Sequence, residues 1–277
     1  MPFIMMPLAI GLALALLAGL ALRWSDQRAL AREWARLAGL AAPAPARFEP
    51  EMIADLPEPA RRYLTWAIQP GTPLAGLVEV TMTGRFGLGD QVEPRYQPMR
   101  ARQILTPPDG FVWEMHGTGA MPVSGSDSGG WTRFALAGIL PVARSGGTAD
   151  HRRSAFGRML AEAAIWCPSA LMPGPHVTWS SPAADVARVS LRDDGIEHVV
   201  DLQLTASGAP SSVVMQRWSN ANPAKRWQYQ PFGGDLSDYR EVAGHHLPFH
   251  AEVGNFYGTP DYFPFFIADL TGVRFPG

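Results

Sequence analysis

Three groups of residues in this sequence have the types and spacing to do chemistry. Arg158 and Glu162 stand four apart, so on a helix they share a face and can pair. If that face lines a cleft, Glu162 becomes a candidate general base. Asp127, within the turn-like run Ser124-Gly125-Ser126-Asp127-Ser128-Gly129-Gly130, is a second candidate carboxylate. His245, His246 and His250 form the only histidine cluster, and three convergent imidazoles bind zinc. Neighbouring strand residues face opposite ways and Pro248 interrupts regular pairing, so this spacing favours a turn with exposed histidines and no metal. Cys167 is the single cysteine, which excludes an intramolecular disulfide. It follows a helical stretch, whose negative dipole end raises a thiol pKa, so it reads as a small buried apolar side chain. Gly84-Arg85-Phe86-Gly87-Leu88-Gly89 follows a strand pattern but opens no helix, and reads as a hairpin turn and not a phosphate loop.

Aromatic residues are plentiful on the strand-like segments: Trp113, Trp131, Trp179, Trp218, Trp227, Tyr229 and Phe232. Most belong to a core, because large aromatics dominate sheet cores. A curved sheet with only one or two helices against it also leaves an apolar cavity, where hydrophobic ligands bind. The residues assigned to such a pocket are Trp113, Trp131, Arg158, Glu162, Trp166, Trp179, Trp218 and Trp227.

These side chains need a scaffold, and residues 153–168 supply its most helical part. Phe156, Met159, Leu160, Ala163, Ala164 and Trp166 recur at helical spacing, with Arg153, Arg158 and Glu162 marking a polar side. Pro168 stops the helix. Around it the period is two: Val78, Val80, Met82 and Phe86 alternate with polar residues, and Phe111, Trp113 and Met115 alternate with Val112, Glu114 and His116. Residues 131–140 form a longer apolar run suited to a central strand. Further strands are expected over residues 177–180, 186–191, 199–204, 213–218, 226–230 and 249–253. Turn signals separate them at Asp193-Asp194-Gly195, Ser207-Gly208-Ala209-Pro210, Asn220-Ala221-Asn222-Pro223 and Gly233-Gly234-Asp235. Residues 55–68 suit a short helix, with Asp55 as its cap and Leu64 and Ile68 facing the domain. The 28 glycines and 26 prolines fit many short turns. The expected fold is α+β, a curved, half-barrel-like antiparallel sheet covered by one amphipathic helix.

Residues 2–22 carry no charged side chain, and about 20 apolar residues suffice to cross a bilayer. With no basic leader and no convincing cleavage site, residues 1–22 are expected to be a transmembrane anchor and not a cleaved signal. Arg23, Arg28, Arg32 and Arg36 argue for a cytoplasmic domain, whereas a strand-rich body suits the other side equally well, so the side stays open. Residues 23–47 form a helical stalk and a Pro/Ala linker. Trp24, Leu30, Trp34, Leu37 and Leu40 largely share one face, which either lies on anionic lipid or packs on the domain. Residues 48–277 form the β-rich globular domain. A net charge of −2 gives no footprint for nucleic acid.

Asp55-Leu56-Pro57-Glu58-Pro59 with Arg61-Arg62-Tyr63-Leu64, then Gly110-Phe111-Val112-Trp113, Arg158 to Glu162, Trp166, Pro168-Ser169-Ala170-Leu171 and Trp179, resembles a family of bacterial proteins, domain of unknown function 6544. The resemblance spans roughly residue 48 to the C-terminus and implies a single β-rich domain, often behind a membrane anchor. It carries over no catalytic residues. By analogy of architecture only, the chain is also similar to half-barrel carriers of lipoproteins. Three functions are compatible with the residues. The first is non-catalytic binding of an apolar or lipidic ligand, with no cofactor. The second is a hydrolase-like enzyme using Glu162, Asp127 or the His245 region. The third is an assembly partner in a membrane complex.

Overall fold

Apolar alternation resolves into one antiparallel sheet of thirteen strands, described together with three α-helices in a computed structural model. It covers residues 2–41 and 46–276, without the side chains of residues 2–9 and 12. Six strands come first: β1 (Val78–Gly87), β2 (Tyr96–Thr106), β3 (Gly110–Gly117), β4 (Val123–Ser128), β5 (Trp131–Leu136) and β6 (Leu140–Gly146). Helix α3 (Ala149–Trp166) then leads to β7 (Val177–Ala183), β8 (Val186–Asp193), β9 (Ile196–Leu204), β10 (Pro210–Ser219), β11 (Gln228–Val242), β12 (His245–Asn255) and β13 (Phe263–Arg274). The order across the sheet is β6-β5-β4-β3-β2-β1-β13-β12-β11-β10-β9-β8-β7. Two meanders therefore meet where β1 pairs with β13, and α3 carries the chain from one edge to the other.

That crossover forces the sheet to curl. Arg158 bonds to Asp127 on β4, while a Cβ at its neighbour Gly157 would lie 2.9 Å from the His198 ring on β9. Those strands are eight spacings apart, roughly 38 Å in a flat sheet at about 4.8 Å each. A helix is only about 10 Å wide, so the strands must wrap around it.

Helix α3 is sunk in the concave face, not laid over it. Phe156, Met159, Leu160, Ala163, Ala164, Ile165 and Trp166 are buried, and so are His151 and Ser154 on the side expected to be polar. The helix begins four residues earlier than its periodicity implied, because Thr148 caps it by accepting from the His151 N–H at 3.1 Å. Helix α2 (Glu58–Ala67) closes one end of the groove: Tyr63 donates to the Ala164 carbonyl, and its ring lies 5.8 Å from that of Trp179. Pro57, not Asp55, occupies the cap position of α2.

Helix α1 (Pro2–Ala38) lies on the convex face. Leu30 and Leu37 are buried with Leu77, Ile104 and Val112, and the Arg102 guanidinium stacks 4.4 Å from the centre of the Trp34 ring. Asp26 bridges Arg133 at 3.1 Å and Arg144 at 2.6 Å. This part of α1 therefore packs on the sheet, whereas Ile10, Leu14 and Leu17 are exposed. Among the described residues no helix is long and apolar enough to cross a membrane. Residues 1–9 and 12 of the expected anchor lie outside the described side chains, as residues 42–45 of the linker lie outside the described backbone.

Two segments depart from their expected roles. Residues 131–140 are not a central strand: Ala137 and Gly138 adopt positive φ (50° and 72°), turning the run into the β5–β6 hairpin at a sheet edge. Gly233 and Gly234 form no turn but sit inside β11, where a Cβ on Gly234 would collide with the Glu252 carbonyl oxygen on β12. Strands β2, β4, β6 and β13 were not expected, although Met99 and Ala101 alternate with Arg100 and Arg102 along β2.

Candidate functional site

Arg158, Ala161, Glu162 and Ile165 project from one side of α3 into a partly open cavity of about 240 Å³ between the helix and the curled sheet. Its apolar wall comes from both meanders: Phe86 on β1, Trp113 on β3, Phe134 on β5, Phe232 on β11, and Phe265 and Phe266 on β13. The rings interlock, with Trp113 centred 6.0 Å from Phe86 and from Phe134 and 5.9 Å from Phe266.

A largely buried ion-pair network forms the polar side. Arg158 donates from Nη1 to Asp127 Oδ2 at 2.6 Å and from Nε to Glu162 Oε1 at 2.7 Å. The outer oxygens are also satisfied: Gln103 Nε2 donates to Glu162 Oε2 at 2.6 Å, and Thr132 Oγ1 to Asp127 Oδ1 at 2.6 Å. The Arg158 guanidinium packs 4.9 Å and 5.1 Å from the Phe111 and Trp113 ring centres. Burial opposes its charge, but the field and hydrogen bonds of Glu162 and Asp127 outweigh that penalty and hold its pKa above the ordinary value. Arg217 on β10 faces the same cavity, its guanidinium carbon 4.7 Å from the Phe232 ring centre. Burial first, then repulsion by Arg158, pushes it down to about 10, with Asp127 and Glu162 offsetting only part, so it is still a cation at neutral pH.

Of the residues assigned to a pocket, Trp113, Arg158, Glu162 and Trp166 line this cavity, as does Asp127. Trp131, Trp179, Trp218 and Trp227 do not. Trp131 donates to Ser126 Oγ at 2.9 Å and packs toward α1. Trp179 is core beside Tyr63 and donates to the Leu171 carbonyl at 2.9 Å. Trp218 donates to Asp150 Oδ1 at 2.8 Å near the start of α3, and Trp227 is exposed in the loop before β11. An aromatic residue type gives no information on which face of a curled sheet it occupies. Arg217 was missed, although Val213, Met215 and Arg217 alternate along β10 and so share a face.

The histidines do not converge, and His245 is not exposed. It is 1% exposed on β12, stacked 4.1 Å from the Phe275 ring centre, with neither ring nitrogen hydrogen-bonded. His246 Nδ1 meets the Trp66 carbonyl at 2.8 Å, and His250 Nδ1 meets Asp269 Oδ1 at 2.7 Å. Among the described residues no group of three or more His, Cys, Asp or Glu is placed to hold a metal ion. The Cys167 thiol is fully buried and pushed up to about 12 by that burial, in keeping with an inert side chain.

Desolvation pushes His245 down to about 4 with no charged partner involved. Its folded value thus lies below the unfolded value of about 6.5. The neutral ring's stabilisation is complete above the unfolded value and is lost as pH falls toward the folded one, on the order of 3 kcal/mol in all. His245→Phe is therefore expected to reduce the drop in urea midpoint between pH 7 and pH 4.5. An identical drop in both proteins contradicts the burial account.

A family model described as "Family of unknown function (DUF6544)" matches residues 46–267. No curated protein matches the sequence. Among solved structures, the chain is similar to the crystal structure of a LolA superfamily protein from Nitrosomonas europaea. The identity is 7%, over 78% of this chain and 91% of that one, with a TM-score of 0.39.

Proposed function

The chain belongs to DUF6544, a family of unknown function, and we propose that it binds one apolar ligand, without transforming it, in the cavity beside α3. The observation that carries this reading is the composition of the wall. Seven aromatic residues line the space, while both carboxylates there are already held by Arg158, so neither is free to act as a general base. The volume, about 240 Å³, lies just below the roughly 300–1,000 Å³ of typical ligand pockets, which suits a single chain or ring and excludes a bulky lipid body. The proposal also places the protein at a membrane through its N-terminal helix. Exposed Ile10, Leu14 and Leu17, followed by Trp24 with Arg23 and Arg28, favour that placement.

Native mass spectrometry of the full-length chain after gentle detergent extraction tests the ligand. A bound apolar mass is expected, and a clean apo mass together with no uptake of added decanol would sink the reading. Retention in the pellet after an alkaline carbonate wash tests the membrane, and release into the supernatant would remove that part alone.

A further inference from the structure

Arg217 is the one cation of the cavity whose charge is not directly paired. Arg158, which lines the same cavity, takes both carboxylates: Asp127 at 2.6 Å and Glu162 at 2.7 Å. No salt bridge or side-chain hydrogen bond reaches Arg217 among the described residues, and its buried Nε has no partner at all. Arg217 as a whole is half-buried and only its Nε is sealed off without a partner, so its remaining N–H groups are open to whatever occupies the cavity. Packing on Phe232 covers one face of the guanidinium but uses none of its N–H groups.

Resting on the apolar-ligand reading above, we propose that Arg217 receives an anionic head group, so that the ligand is a single-chain carboxylate. Its chain lies among Phe86, Phe134 and Phe266, and its carboxylate meets the guanidinium fork. The fork presents parallel N–H donors that match the two oxygens of a carboxylate. Charge argues for a monoanion over a phosphate dianion. Asp127 and Glu162 share the cavity, and each added negative charge is repelled by both. Arg217 answers one such charge and not two. The apolar wall then binds the chain, and the arginine selects its end.

Decanoate, decanol and decyl phosphate share one chain and differ only in the head group, and each is titrated into the full-length protein at pH 7.5 by calorimetry. Decanoate is expected to bind about tenfold tighter than decanol, the gain of one charge-assisted contact, and tighter than decyl phosphate. Arg217→Met is expected to abolish that preference while keeping the decanol affinity, which also reports an intact cavity, and Arg217→Lys to keep part of the preference. Equal binding of decanoate and decanol, a preference that survives Arg217→Met, or tighter binding of decyl phosphate overturns the assignment and leaves the apolar-ligand reading standing. Failure of all three to bind removes both.

Discussion

Arg158→Leu is expected to destabilise the protein by about 3–5 kcal/mol, the cost of leaving buried charges without their partner. The variant strands Asp127 and Glu162 together in the aromatic cavity with only Thr132, the Ser128 backbone N–H and Gln103 still donating to them. Two carboxylates facing each other without their cation repel and lose their best hydrogen-bond donor, and urea midpoints of the variant and the parent at pH 7.5 check the loss. The triple variant Arg158→Leu, Asp127→Asn, Glu162→Gln removes all three charges and is expected to regain much of the loss. Replacing a whole buried ionic network is often close to neutral, whereas breaking it is not. An Arg158→Leu protein as stable as the parent at pH 7.5 would show that water reaches the network freely.

The same network shows where reading the chain alone stops. The pairing of Arg158 with Glu162 is local, four residues on one helix, and its spacing predicts it. Likewise the alternation of Phe111, Trp113 and Met115 gives their common face, and Pro168 gives the end of α3. Asp127, by contrast, lies 31 residues from Arg158 and Gln103 lies 59 from Glu162. Their meeting depends on how far the sheet curls, and curl is a sum over thirteen strands that no single segment encodes. Arg153, Arg158 and Glu162 therefore read only as a polar side, and the cavity that Arg158 and Glu162 line stays hidden until the sheet closes over them. The run 131–140 misled for a related reason. Its apolar content fits a central strand, but an Ala-Gly pair at positive φ turns it back on itself. Buried His245 was hidden by its neighbours: His246 and Pro248 suggest a turn, while its own side chain fills a hole against Phe275.

Ala161→Trp is expected to abolish ligand binding while preserving the fold, a loss of about a hundredfold or more in affinity for the apolar probe. Ala161 is buried at the cavity wall between Arg158 and Ile165, so an indole there grows into the space the ligand requires. The intrinsic helix cost of tryptophan relative to alanine is at most about 0.7 kcal/mol. Overpacking a filled core costs more, typically about 1–3 kcal/mol. Filling an apolar void has the opposite sign, because each Å² removed from water contributes about 25 cal/mol. The net change in thermal midpoint is thus small or positive if the cavity is empty space, and negative if neighbouring rings already close it. Decanol calorimetry on the same variant separates binding from stability. Unchanged stability with lost binding places the ligand beside α3, and unchanged binding moves it elsewhere on the molecule. A raised midpoint in the variant, together with no ligand uptake by the parent, would make the cavity a packing defect enclosed by the curl of the sheet.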